Sequence, residues 1–140
     1  MKILLAVDGS DCSTRAARQV VTLARALRKR PTVVLINVDA PLMSSVAVRI
    51  GAQETARMHS ENADAALKAA RAILRRAGIA HREEKVVGDA GPAIARFAGT
   101  SKSDLIVMGS HGRTAIASLV MGSVANKVIA LGAAPVLVVR

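Results

Sequence analysis

The chain has 140 residues, half of them apolar, which suits one domain with a single packed interior and leaves little room for disorder. It has no Trp or Tyr and one Phe, Phe97, so the core rests on Val, Ile, Leu, Met and Ala and base stacking has almost nothing to work with. The net charge of +10, from 20 basic and 10 acidic residues, raises the question of an acidic partner. The clusters Arg25, Arg28–Arg30 and Arg71, Arg75, Arg76 are read instead as cations at helix C-termini that complement the helix dipole. Cys12 is the only cysteine, which excludes an internal disulfide. No apolar run approaches the ~18 residues of a membrane span and no leader pattern precedes the first strand, so a cytoplasmic protein with no membrane partner is expected.

In chain order, residues 2–8 (KILLAVD) form a continuous apolar run with a polar end, a central parallel strand. Residues 9–11 turn, with Ser10 or Ser13 available to cap a helix over 14–29 that Pro31 ends. Residues 32–38 (TVVLINV) are a second buried strand, and 39–51, with Pro41 and two serines, are expected as a loop. Apolar residues at three- and four-residue steps predict a helix over 52–77, stopped by Gly78, with Asp64 paired to Lys68. Residues 81–87 alternate as an edge strand does. Asp89 is expected to cap a short helix around 92–98, 104–108 (DLIVM) is another buried strand, a helix spans 123–131, and 135–140 (PVLVVR) is the last strand.

Strict β-α alternation implies an α/β fold in which a doubly wound, five-stranded parallel sheet carries helices on both faces, a Rossmann-like single domain over residues 1–140. Such sheets bind ligands at the carboxyl ends of the strands, where strand order reverses. Two strand ends here carry unusual chemistry: Val7-Asp8-Gly9-Ser10, and Met108-Gly109-Ser110-His111-Gly112-Arg113. After Gly112 come nine residues and then Gly122-Ser123. The glycines are read as clearance for a ligand against backbone, and the free amides of Ser123 and Val124 in a helix first turn as an anion site. There is no Gly-Lys-Ser/Thr, so this is not a Walker loop.

With these segments the chain resembles the universal stress protein family. The resemblance spans essentially all of its length, through KILLAVDGS, DLIVMGSHGR, GSVANKVI and APVLVV, and the spacing of the glycines matches the family's ATP-binding subgroup. It implies a sheet order of 3-2-1-4-5 and an ATP site (or ADP or AMP), with Mg²⁺ or Mn²⁺ as an accompaniment to the phosphates. Ala6, Val7 and Asp8 would border the nucleoside, with Asp8 near the ribose, and the backbone of Val38 would meet the adenine edge. Met108 closes the strand that leads into the phosphate segment, where Gly109, Gly112, Gly122, Ser123 and Val124 would hold the ribose and phosphates; Arg113 is a candidate phosphate contact. The resemblance also implies a homodimer through residues 136–139, an apolar edge that needs covering in any case.

His111 is read as an exposed loop histidine, Cys12 as a small buried apolar residue, and His59 and His81 as too isolated to ligate a metal. No catalytic residue and no metal ligand is assigned. The leading function is a nucleotide-responsive regulator of a stress response. The alternatives are a slow ATP hydrolase, which lacks a second carboxylate, and a basic interaction protein indifferent to nucleotide.

Overall fold

The computed structural model describes residues 1–112 and 121–140. Its elements run β1 (Lys2–Ala6), α1 (Asp11–Ala26), β2 (Thr32–Asp39), α2 (Ser44–Ile50), α3 (Ala52–Arg76), β3 (His81–Val87), α4 (Ala90–Thr100), β4 (Leu105–Gly109), α5 (Ser123–Leu131) and β5 (Val136–Val139). All strand pairs are parallel and the order is β3-β2-β1-β4-β5, as the sequence and the resemblance implied.

The pleat divides the core in two. Ile3, Leu5, Val33, Leu35 and Val107 face α1 and α3, and with Val20, Leu67 and Leu74 form one buried layer. Leu4, Ala6, Ile36, Ile106 and Met108 face the other way, against Ile94 and Ala98 of α4 and Ala125 and Val128 of α5. Both faces of β1, β2 and β4 are therefore covered, which is why their sequences are continuous apolar runs rather than alternating ones.

Several local readings change. Residues 44–50 form a helix, not part of a loop; α2 has no side-chain cap and no buried residue, so neither of the usual sequence signals announces it. Helix α1 starts at Asp11, capped by the Ser10 hydroxyl, which accepts from the Ser13 amide. It ends at Ala26, because Leu27 is already extended, so Arg28, Lys29 and Arg30 lie past its last turn. Asp89 occupies the cap position of α4 but makes no capping bond; its carboxylate accepts from Lys127 Nζ at 2.9 Å. Asp64 pairs not with Lys68 but with Lys85 of β3 (2.7 Å) and Arg71 (2.9 Å). Arg71 also holds both carboxylate oxygens of Glu83, a bidentate clamp of α3 onto the edge strand β3. That hydrogen bonding is the main reason the Glu83 carboxyl titrates below its usual range.

No helix among the described residues is long and apolar enough to cross a membrane.

Candidate functional site

Strand β1 has β2 on one side and β4 on the other, so the chain leaves its two neighbours for opposite faces and a crevice opens at their carboxyl ends. A cavity of about 400 Å³ occupies it, on the face covered by α4 and α5. Every sequence-assigned residue that the structure describes lines this cavity. Ala6, Val7 and Asp8 come from the end of β1, Val38 from β2, and Met108, Gly109 and Gly112 from the end of β4 and the turn after it. Gly122, Ser123 and Val124 come from the start of α5. Arg113 lies outside the described residues.

The start of α5 has the geometry of an anion site. Gly122 is its N-cap with no side-chain capping bond, and the first amide returned into the helix is that of Asn126, to Gly122 O at 3.1 Å. The amides of Ser123, Val124 and Ala125 precede it, and all three residues face the cavity. Opposite them, Ile36, Val38, Ile94 and Met108 give the cavity an apolar wall. An apolar slot that ends in the first-turn amides of a helix suits a flat ring system joined to an anionic group.

Two of the glycines have a packing role within the protein itself. A Cβ on Gly109 would sit 2.7 Å from Cys12 Cβ and 2.9 Å from its carbonyl carbon, so Gly109 is what allows the first turn of α1 to close on β4. A Cβ on Gly122 would lie 3.0 Å from the carbonyl oxygen of Ser110, the atom its own amide bonds at 2.8 Å. Both residues line the cavity, but their missing side chains clear backbone of this chain. Gly112 differs: among the described residues its Cβ would meet only Asp8 Oδ2, at 2.9 Å.

Asp8 combines a turn role with a cavity position. Its Oδ1 accepts from the amide of Ser10 at 3.0 Å and from its hydroxyl at 2.6 Å, which fixes the turn that Gly9, at φ +83°, makes possible. Its other oxygen faces Gly112 across the mouth.

Sequence reasoning passed over Ser13, Ile36, Ala90, Ile94, Ser110, His111, Met121 and Ala125, which complete the lining. Ile36 was within reach, two residues before Val38 on the same strand face. His111 is half-buried rather than exposed, its Nδ1 3.0 Å from the hydroxyl of the buried Ser110. Cys12 is likewise only partly buried, with Arg15 3.0 Å from its Sγ. Asn37 was missed altogether: it is buried, and its side-chain amide donates to the carbonyl oxygen of Val7 at 2.8 Å. No group of three or more His, Cys, Asp or Glu side chains among the described residues is placed to hold a metal.

The sequence matches the Universal stress protein family over residues 1–140. A universal stress protein of Thermus aquaticus is 33% identical over 139 residues, covering 99% of this chain and 97% of that protein. The solved universal stress protein from Archaeoglobus fulgidus in complex with dAMP is 25% identical, with a TM-score of 0.69 over 100% of this chain and 98% of that one. A universal stress protein solved in complex with cAMP is also 25% identical, with a TM-score of 0.71 over 100% of this chain and 97% of that one. Match, fold and sheet order agree along the whole length: the chain belongs to the universal stress protein family.

Proposed function

We propose that this protein binds an adenine nucleotide in the cavity at the carboxyl ends of β1, β2 and β4, that ATP is the working ligand, and that its occupancy regulates a stress response. The observation that carries the reading is the pairing, within one cavity, of an apolar wall with the first-turn amides of α5, which the N-cap Gly122 leaves without a side-chain cap. Two solved relatives, in complex with dAMP and with cAMP, support an adenylate there. The spacing Gly109-x-x-Gly112, nine residues, Gly122-Ser123 supports ATP.

In this reading the base lies against Ile36, Ile94 and Met108 with its edge toward the backbone of Val38. The ribose lies near Asp8, and the phosphates lie over Ser123 and Val124. Arg113 adds a phosphate contact. Among the described residues Asp8 is the only carboxylate in the cavity lining, so an accompanying Mg²⁺ or Mn²⁺ would be held mainly by the phosphates. Ligand that joins the ends of β1, β2 and β4 to α5 favours the closed arrangement of these segments, and a partner reads that population. The half-exposed apolar edge β5 joins two copies by strand pairing.

The test is mass analysis of small molecules released by denaturing freshly purified protein, with melting curves at millimolar ATP, ADP, AMP and dAMP. Adenine nucleotide in the released fraction, and a melting temperature that rises with nucleotide concentration, are the expected results. Neither release nor a melting shift with any of the four would end the reading.

A further inference from the structure

The opposite pole of the sheet carries a feature the nucleotide site does not use. In a parallel α/β fold every helix returns the chain to the amino ends of the strands, so the C-termini of α1, α3, α4 and α5 gather there. Hydrogen bonds tie this pole together: Thr32 N donates to Met1 O, Arg30 to Gly78 O, Lys2 N to Asp104, and Lys2 Nζ to Ser101 O.

The pole is strongly cationic. Arg75 and Arg76 occupy the last turn of α3 and Arg25 that of α1, and helix dipoles account for these three. Dipoles do not account for Arg28 and Lys29, which follow the end of α1 and are exposed. They do not account for Lys102 either. It sits at φ +52°, the only non-glycine with positive φ among the described residues, at a helix end where Gly or Asn is the usual occupant. A strained position that holds a long cation instead of glycine points to a use for the charge.

Apolar side chains are exposed at the same pole: Leu27 beside Arg28, and Leu131 at the end of α5, which is 54% exposed. Phe97, the only Phe, Tyr or Trp in the chain, packs against the core on the α4–α5 side, and the His81 ring at the start of β3 is buried, so neither is available there to stack on a base. A cationic surface studded with aliphatic side chains complements an anionic lipid headgroup layer, where the cations meet phosphates and the aliphatic tips enter the acyl boundary.

We propose that the amino pole of the sheet, through Arg28, Lys29, Lys102 and Leu27, docks the protein on anionic membrane surfaces, with the nucleotide cavity facing away from the bilayer. The inference stands independently of what the cavity binds.

The experiment is co-sedimentation of the full chain with phosphatidylcholine vesicles containing about 40% phosphatidylglycerol, against pure phosphatidylcholine, at low and high salt. Expected is binding to the anionic vesicles only, weakened by salt. Each cation removed should cost roughly fivefold in partition coefficient. Lys102→Gly is the informative variant, because it relieves the strained φ: its melting temperature should hold or rise while its vesicle binding falls. Arg28→Glu/Lys29→Glu should reduce binding further, and Leu27→Asp should weaken it at unchanged nucleotide affinity. No binding to anionic vesicles, or equal binding by parent and Lys102→Gly, overturns the proposal. So does displacement from vesicles by a short DNA duplex whose binding is indifferent to Leu27→Asp, which would assign the pole to nucleic acid.

Discussion

Asn37 and Val7 are joined by a bond that runs from the side-chain amide of one strand to the backbone carbonyl of the next, 2.8 Å long and buried. Val7 is also held from its other side, its amide donating to Ile36 O at 2.9 Å. The chain end that carries Asp8 into the cavity is thereby fixed to β2 by both polar groups of Val7. Asn37→Leu leaves that carbonyl buried without a partner, and the expected cost is about 1–3 kcal/mol in urea unfolding. Asn37→Asp places a carboxylate against the carbonyl and should cost more.

Gly109→Ala tests the reading that this glycine serves α1. The added methyl would overlap Cys12 and the backbone behind it, so a loss of about 1–3 kcal/mol is expected by chemical denaturation. Gly99, inside α4, has nothing among the described residues within 4 Å of its would-be Cβ. Gly99→Ala should therefore stabilise by up to about 1 kcal/mol. Equal effects from the two variants would refute the packing argument.

Acid should release the clamp between Arg71 and Glu83. The Glu83 carboxyl is lowered from 4.5, first by its hydrogen bond to Arg71 and then by that residue's charge. A carboxyl lowered on folding contributes stability that is complete above its unfolded value and is lost as pH falls through the folded one. Melting temperature should drop as pH falls below about 4.5. In Arg71→Gln that part of the pH dependence should shrink, while the variant should already be less stable than the parent at pH 7.

The strands and helices α1, α3, α4 and α5 were legible because burial on both faces, or on one helical stripe, leaves an apolar record. Helix α2 was not, since none of its residues is buried and its cap position is Met43. The end of α1 was placed three residues late because Pro31 was taken as the stop, whereas the chain is extended from Leu27. The cavity residues are marked by glycine and serine positions at strand ends, and Gly109 and Gly122 also clear backbone of this chain, which their sequence positions do not show. Sequence marks where backbone must come close, and does not say whether a ligand or another part of the chain does the approaching. Asn37, polar within a buried strand, was the one available sign of the bond to Val7.

The anion site proposed at the first turn of α5 for an adenine nucleotide can be reached directly through Ser123. As the first helical residue, Ser123 can be replaced by Pro with the helix start intact, since proline is favoured there and Gly122 is already extended at ψ 153°. Ser123→Pro removes the amide and the hydroxyl, and Ser123→Ala removes only the hydroxyl. Calorimetric titration of both and of the parent with AMP and with adenosine is the decisive measurement. Ser123→Pro should weaken AMP binding by roughly 10- to 100-fold, the worth of one hydrogen bond to a charged group, and leave adenosine almost unchanged. Equal affinity of parent and Ser123→Pro for AMP, or no binding of AMP to the parent, would contradict it.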